Sequence, residues 1–221
     1  MSNNQVVIEA ITSALSRSRM STFEAGAKPK DAQDMASLQL YAWNAAISGA
    51  LLPVLHVCEV VVRNAVSDAL EALYGPKWAW SDSFEQSLPR PPQGYCQHKD
   101  LLDARKGAET IGKVIPELKF AFWQRMFTKR HDGRLWNRYL RDVLPNLDKE
   151  MPVKVHRDTI FNHLDNIRLL RNRIAHHEPI FNRNLTEDYA KIMSLIHYRC
   201  NFTAMWLSQS QIVSTTIKAK P

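Results

Sequence analysis

Glycine is scarce in this chain, at seven of 221 residues. Proteins built from many short strands need glycine at their turns, so this shortage favours a helical fold over a β fold. Cysteine is scarce too: Cys58, Cys96 and Cys200 cannot all pair, and none lies in a Cys/His array with zinc spacing. We therefore expect an all-α protein from a reducing compartment, without a structural metal.

Two kinds of apolar segment are also missing. Residues 1–20 lack a positively charged start followed by a long apolar run, so no secretory signal is predicted. Residues 45–62 approach the length of a membrane span, but they contain Pro53, His56 and Glu59. A buried core helix is the better interpretation, and we expect a cytoplasmic protein that does not associate with membranes.

Acidic residues are outnumbered, with 22 Asp and Glu against 29 Lys and Arg, for a net charge of +7. The excess is uneven, since residues 119–141 contain seven basic residues and a single acid, Asp132. A positive surface predicts an anionic partner, and nucleic acid is the usual one. Solubility alone is the simpler explanation for such a surface.

Helical periodicity without an internal repeat predicts one α-helical domain over residues 1–221. Its parts are N-terminal helices at 1–30, a long central helix pair at 31–75, a proline-rich loop at 76–98, the remaining bundle at 99–209 and a flexible tail at 210–221. Asp31 or Asp34 would cap the central helix, and Pro53 would kink or split it. Individual helices are predicted at 5–16, 21–27, 101–112, 116–127, 135–144, 156–176 and 186–207.

The helix predicted at 156–176 carries an arginine where an apolar residue is expected. Ile160, Leu164, Ile167, Arg171 and Ile174 follow steps of three and four, the spacing of one buried stripe. A guanidinium does not lose its proton, so burying it without partners is costly. Arg171 is therefore expected either to pair with an acid or to line a cleft that binds an anion.

The central helix has a matching pair of charges in apolar surroundings. Glu59 and Arg63 lie one turn apart among valines and leucines, and they could pair within their helix. Glu59 could instead reach Arg171 across a helix interface and orient it. A buried pair that fixes helix register and a group that supports a functional site both remain open.

His176 follows Arg171 by five residues, which places the two about 140° apart on a regular helix. They become useful together if the helix ends near His176. Pro179 predicts such an end, because it disfavours helical geometry at Glu178. The helix terminus favours a positively charged imidazole, and Asn172, one turn earlier, could hydrogen-bond it.

An imidazole and a guanidinium together suit the cleavage of RNA. The imidazole can move the proton of the 2′-hydroxyl or of the leaving 5′-oxygen, and the guanidinium can hold the phosphate oxygens. We see no acidic cluster at metal-ligand spacing, and we expect no metal or other cofactor. The residues expected to contact RNA are Arg125, Lys129, Arg130, Arg134, Arg168 and Arg173, in or near the basic region and the motif.

Within the basic region, the aromatics Phe120, Trp123 and Phe127 have the spacing of a core face, while the arginines and lysines between them face outward or toward a cleft. Trp136 could stack on RNA bases or belong to the core. The turn predicted at Asp132 and Gly133 is the best candidate for a loop that contacts substrate.

The segment "RNRIAH", residues 171–176, matches the R-N-x-x-x-H form of the R-x4-6-H motif of HEPN ribonucleases. The wider "LRNRIAHHEPIF", the block at residues 40–75 and "FAFWQRMF" resemble the Abi-like (abortive infection) family of that superfamily. The resemblance covers most of residues 7–207. It implies a helical bundle, here with extra N-terminal helices and a proline-rich loop.

The resemblance also implies a function. HEPN domains commonly form homodimers, in which two motifs meet in a composite cleft that cuts RNA without metal and leaves 2′,3′-cyclic phosphate ends. Arg171 and His176 match the defining positions, Asn172 matches a frequent polar position, and Glu59 corresponds to an acid on the neighbouring core helix. His177 is additional. Some relatives have a tyrosine that a partner enzyme modifies where this chain has Glu178.

Abi-like proteins are associated with phage defence in bacteria, so a toxin-like ribonuclease is the expected role. A regulatory or antitoxin partner is expected as well, although no such domain is visible in this chain. The alternative is a non-catalytic HEPN module that binds RNA, a nucleotide or a protein. A DNA-binding protein is disfavoured, because the sequence contains no helix-turn-helix with a glycine-bearing turn.

Overall fold

A computed structural model of the protein describes residues 3–27 and 34–221, which form α-helices and short 3₁₀ or π turns and no strand. The all-α helical fold predicted from composition and periodicity is thus confirmed. The helices are α1 (Asn3–Leu15), α2 (Arg17–Ala27), α3 (Ala36–Tyr74), α4 (Asp82–Ser87), α5 (Gln97–Arg105), α6 (Ile111–Val114), α7 (Phe120–Met126), α8 (Asn137–Val143), α9 (Val153–Ala175), α10 (Leu185–Arg199), α11 (Asn201–Ser210) and α12 (Val213–Lys218).

The central helix α3 is one continuous helix of 39 residues, so the predicted division into a helix pair at Pro53 is wrong. Proline costs about 3 kcal/mol inside a helix. Here α2, α8, α10 and α12 pack along the helix on both sides of Pro53, and this tertiary packing outweighs that cost. By length and composition alone, α3 could cross a membrane. In its most apolar stretch of 18 residues, 39% is buried within the fold.

The start of α3 agrees with the sequence. Met35 occupies the N-cap position without a side-chain cap bond, and the preceding Asp34 side chain accepts a hydrogen bond from the backbone N–H of Ala36 at 2.9 Å. Asp34 therefore satisfies one N–H of the first turn from the position before the N-cap. The other capping candidate, Asp31, lies outside the described residues. The preceding helices α1 and α2 correspond to the two predicted at 5–16 and 21–27.

Helices α9 and α10 determine where the motif lies. Helix α10 runs along α3 in the same direction, because Ile180, just before α10, donates its N–H to Asn44 at 2.8 Å, and Arg199, at its end, pairs with Asp68. Helix α9 precedes α10 and runs back the opposite way. The C-terminal end of α9, and with it the motif, therefore lies beside the N-terminal half of α3.

The predicted loop at 76–98 is only partly a loop. It contains a 3₁₀ turn at Trp78–Trp80 and helix α4, which Ser81 caps by accepting the N–H of Phe84. Trp78 and Phe84 are almost fully buried, and the indole of Trp78 donates to the hydroxyl of Ser67 at 3.1 Å. The prediction of a loop is wrong for residues 78–87, because their aromatics enter the core despite the nearby prolines.

The predicted flexible tail at 210–221 is also wrong, because α12 packs on α3. Val213 is fully buried, and the indole of Trp43 donates to the carbonyl of Thr216 at 2.7 Å. A buried apolar residue and a buried indole partner tie down this short helix.

Three predicted helices are shorter than expected. The helix at 101–112 breaks at Gly107, whose φ of 73° is left-handed and separates α5 from α6. The helix at 186–207 breaks at Cys200, whose extended backbone separates α10 from α11. The helix at 116–127 begins with a 3₁₀ turn and resumes as α7 after extended Leu118 and Lys119. Periodicity continues through each break, so the sequence pattern did not reveal it.

Candidate active site

Helix α9 ends in a turn with two defining hydrogen bonds. The N–H of His177 donates to the carbonyl of Ile174 at 3.1 Å, and the N–H of Glu178 donates to the carbonyl of Arg173 at 2.8 Å. This is the Schellman arrangement, and His177 occupies its left-handed position, with φ 56°. The helix therefore ends at Ala175, a little earlier than the proline alone predicted.

Arg171 does not belong to the buried stripe of α9, which corrects the sequence interpretation. The stripe passes from Ile167 to Leu170 and Ile174, all of which are buried, and Arg171 is exposed. Within the described part of the chain, no hydrogen bond or ion pair involves the Arg171 guanidinium. The spacing predicted the direction of Arg171 around the helix correctly. At the end of α9, however, the core does not cover that side of the helix, so the side chain is exposed.

Glu59 pairs with Arg63 within α3 and not with Arg171. The side chains are 15% and 20% exposed, and the Arg63 Nε atom is buried without a hydrogen-bond partner. Of the two arrangements left open by the sequence, the structure contains the intrahelical pair. Arg171 is consequently free of the acid that would have made it a structural residue.

His176 is exposed directly after the last residue of α9. Its backbone N–H donates to the carbonyl of Asn172 at 2.9 Å, as in a regular helix. The predicted side-chain bond between Asn172 and the His176 imidazole is absent from the described residues. The imidazole of His176 and the guanidinium of Arg171 are thus both directed to solvent and both available to a ligand.

His177 lines a cavity of about 320 Å³ between the end of α9 and α3. The α3 residues Ala45, Ser48 and Gly49 are small, and they leave the space open. The other lining residues are Tyr41, Asn44, Leu52 and Ile174. A volume of this size is at the lower end of the range for small-molecule sites.

Helix α2 holds the turn after the motif. The guanidinium of Arg19 donates to the carbonyl of His177 at 2.6 Å, and the Phe23 ring contacts that of Phe181 at 5.2 Å. Gly26 packs so closely on Phe181 that an added Cβ atom would lie 2.5 Å from the ring. No sequence pattern indicated this support, because the two segments are about 150 residues apart along the chain.

The predicted RNA-binding arginines differ in how free they are. Arg125, Lys129, Arg130 and Arg134 are exposed on the surface, as predicted for the basic region. Arg168 is half-buried and donates to Asp165 at 2.8 Å. In contrast, Arg173 donates to the carbonyl of Pro179 at 3.0 Å and lies 3.9 Å from the Glu178 carboxylate, so it stabilises the turn after α9.

The structure decides between the two places that the sequence left open for Trp136, and it shows how Asp132 is held. Trp136 is fully buried, stacks on Phe127 at 4.5 Å and donates to the Met126 carbonyl, so it is not free to stack on RNA. Asp132 begins a π-helical turn, Asp132–Trp136, and makes two bonds to Arg157 at 2.8 and 2.9 Å. The segment is therefore a helical turn held by an ion pair rather than an open loop, and its contact with substrate stays a prediction.

The aromatics predicted to be core, Phe120, Trp123 and Phe127, are all buried. Among residues 3–27 and 34–221, no group of three or more His, Cys, Asp or Glu side chains is arranged to hold a metal ion.

Comparisons of the chain with models of protein families, with curated proteins and with solved structures found no match.

Proposed function

We propose that this protein is a metal-independent endoribonuclease of the HEPN type, with Arg171 and His176 as its catalytic residues. The observation that carries the proposal is the exposure of both side chains at the end of α9, where neither has a partner within the described residues. A guanidinium held only by solvent has no structural role to explain it. The motif resemblance supports the same two residues.

The chemistry needs only these groups and the RNA itself. The 2′-oxygen attacks the adjacent phosphorus, the bond from phosphorus to the 5′-oxygen breaks, and a 2′,3′-cyclic phosphate and a 5′-hydroxyl result. One imidazole takes the proton of the 2′-hydroxyl or gives one to the 5′-oxygen, each worth about 10²–10⁴ in rate. The guanidinium holds the non-bridging oxygens as their charge increases.

A homodimer would supply a second imidazole for the other proton transfer. Exposed apolar side chains occur on the two helices that flank the motif: Leu52 is 52% exposed and Val60 38% on α3, and Leu169 is 44% exposed on α9. Burying these residues between two copies would be favourable. Such a dimer would bring the two motifs toward a shared cleft, as the resemblance implies.

The role in the cell follows from the resemblance alone. We propose a bacterial cytoplasmic defence or toxin-like ribonuclease, whose activity a partner restrains until phage infection. The basic residues of α7 and the following 3₁₀ turn, Arg125, Lys129 and Arg130, would add affinity for RNA phosphates. Because Arg173 is engaged in the turn after α9, its contribution to RNA binding is expected to be smaller than theirs.

A second candidate is a non-catalytic module that binds a protein partner. One observation favours it: Phe202, Met205 and Trp206 on α11 are 80%, 49% and 59% exposed and share one side of that helix. Exposed apolar patches of this kind often mark interaction surfaces. They lie on a different helix from the motif, so protein binding through α11 would need neither Arg171 nor His176.

The proposal is tested by cleavage of a labelled single-stranded RNA in the presence of EDTA. The parent should cut the RNA and leave cyclic phosphate ends, identified by mass spectrometry. The Arg171→Ala and His176→Ala variants should each lose about 100-fold or more in rate. Arg138→Ala and His197→Ala are matched controls, because both residues are exposed and lie outside the motif.

Equal rates in the parent and in both motif variants would contradict the proposal. Complete loss of cleavage in EDTA, with recovery on adding Mg²⁺, would also contradict it. A parent that cuts no RNA but binds a protein partner through α11 would favour the second candidate.

A further inference from the structure

A second polar pocket lies along α9, about two turns before the motif. Its volume is about 250 Å³, and Tyr95, Gln124, Arg125, Phe161, Asp165 and Arg168 contribute to its walls. It combines two aromatic rings with two guanidinium groups. This composition differs from that of the cavity beside His177, which contains no arginine or lysine.

Of the two cations of this pocket, Arg168 is paired with Asp165, whereas Arg125 is oriented without an ion pair. Arg125 is exposed, with its guanidinium carbon 5.5 Å from the centre of the Tyr95 ring, and no ion pair to it occurs within the described residues. Asp165 accepts hydrogen bonds from Arg168 and from Gln124, each at 2.8 Å. The bond from Arg168 lowers the pKa of Asp165, so the carboxylate stays ionised.

The resulting charge is +1, from Arg125 and Arg168 against Asp165. A phosphodiester within an RNA chain carries a single negative charge, whereas a terminal phosphate carries about −1.5 to −2. The charge of the pocket thus equals in magnitude that of one phosphodiester within a chain. Arg168 uses one nitrogen for Asp165, and its remaining N–H groups can reach a phosphate.

The aromatic wall is fixed in place. The Tyr95 hydroxyl donates to Asp100 at 2.6 Å, and Asp100 also accepts the backbone N–H of Lys119 at 3.2 Å. This bond holds one edge of the Tyr95 ring, and the Arg125 guanidinium lies over one ring face, so a base would contact the ring beside that guanidinium. Phe161 adds a second ring to the wall, and Ala121 is small enough to leave room.

The pocket is aligned with the candidate catalytic residues. Arg168 and Asn172 are one turn apart on α9, and His176 follows one turn later, so the three share one side. Eight residues of helix separate Arg168 from His176, a distance of about 12 Å along the axis. A single strand a few nucleotides long can occupy both places.

We propose that this pocket binds one nucleotide of single-stranded RNA, with its base against Tyr95 and Phe161 and its phosphodiester on Arg125 and Arg168. The rest of the strand continues along α9 toward His176, a continuation that rests on the proposed function. The pocket would then select how the RNA enters the cleft.

The test measures binding separately from cleavage. A fluorescein-labelled oligonucleotide with 2′-O-methyl groups throughout cannot be cut by 2′-oxygen attack, and its affinity is measured by fluorescence anisotropy over a range of salt concentrations. Arg125→Gln removes one phosphate contact, and Ala121→Leu fills the pocket without changing charge. Arg138→Gln is the matched control, because Arg138 is exposed and lies 5.0 Å from the Tyr139 ring centre but lines no part of this pocket.

We expect Arg125→Gln to weaken binding about 10-fold and to reduce the slope of log K against log salt by about 0.7. Ala121→Leu should weaken binding by a similar factor without changing that slope, and Arg138→Gln should have the smallest effect. Equal losses in Arg125→Gln and Arg138→Gln would overturn the proposal. Tighter binding of adenosine 5′-monophosphate than of the oligonucleotide would overturn the assignment to RNA.

The two proposals fail in different ways. If the parent binds the oligonucleotide through Arg125 but cuts no RNA, the pocket stands and the ribonuclease activity does not. If the parent cuts RNA and the pocket variants bind and cut as the control does, the ribonuclease stands and the pocket does not.

Discussion

Two arginines of α9 differ in burial and in the partners of their side chains. Arg157, near the start of the helix, is 4% exposed and makes two hydrogen bonds to Asp132, which raise its pKa, and an ion pair with Asp158. Arg171, near the end, is exposed and has no partner within the described residues. The same residue type on one helix thus serves the fold at one end and is available to a ligand at the other.

The difference in burial and pairing indicates which of the two arginines is available for function. A buried guanidinium must be paired, because an isolated buried charge is costly. Its acids then explain its presence completely. No acid explains the exposed guanidinium of Arg171 at the helix end. We attribute it instead to a ligand site together with its neighbour His176 and the cavity that His177 lines.

The largest expected effect is on the buried arginine. Arg157→Ala leaves the largely buried Asp132 carboxylate without its partner, and the unfolding free energy should fall by about 3–5 kcal/mol. Urea unfolding measures this. Asp158→Asn is the control and should change stability by less than about 0.5 kcal/mol, since Asp158 is half exposed. A loss below about 1 kcal/mol for Arg157→Ala would remove the contrast between the two arginines.

The buried His131, next to Asp132, also predicts that stability depends on pH. Burial, with the positive charges of Arg130 and Arg134, lowers the pKa of His131 to about 4, from an ordinary value of 6.5. Below pH 6.5 the unfolded chain gains a proton at His131 that the folded chain does not. The unfolding free energy should therefore fall by about 3 kcal/mol between pH 6.5 and pH 4.

Urea unfolding across this pH range, compared between the parent and His131→Leu, checks that prediction. The variant should lose this part of the pH dependence, whereas a variant of the exposed His197, His197→Asn, should retain it. Identical pH profiles for the parent and His131→Leu would show that another group is responsible.

A smaller effect is expected where α2 meets the motif. Arg19→Ala removes the hydrogen bond to the His177 carbonyl and should lower the unfolding free energy by about 1 kcal/mol. Cleavage should decrease by more than the folded fraction does, because the turn that positions His176 is less constrained. Arg17→Ala, an exposed arginine on the same helix, should leave both quantities near those of the parent.

The smallest expected effect is a gain in stability. His177 is in the left-handed conformation that glycine usually occupies at this position of a helix end. His177→Gly should raise the unfolding free energy by about 0.5–1 kcal/mol. If His176 performs the proton transfer, this variant should retain cleavage; loss of cleavage would assign the chemistry to His177 instead.

The sequence predicted the fold class, a contact of Asp34 with the first turn of α3, the core aromatics and, to within a few residues, the end of α9. Each depends on a local pattern: composition, a capping residue, helical spacing or a proline. It did not predict that Arg171 is exposed. Periodicity gives the direction of a side chain around its helix, but not how far the neighbouring helices extend along it.

The two pockets lay beyond sequence reasoning for a related reason. Tyr95, just before α5, and Phe161, on α9, meet only when α5 and α9 both pack against α7, and Arg19 reaches His177 across most of the chain length. Trp136 could have been core or an RNA contact by its type, and only packing against Phe127 decides between them. Such contacts depend on tertiary structure, which local patterns do not determine.

The measurement that tests the account most directly is the RNA cleavage rate of Arg171→Ala, made on protein whose unfolding free energy is measured in urea. We expect an unfolding free energy within about 0.5 kcal/mol of the parent and a cleavage rate at least about 100-fold lower than that of the parent. A variant that loses more than about 2 kcal/mol of stability, and cleaves in proportion to its folded fraction, would contradict it. In that case Arg171 would serve the fold, as Arg157 does.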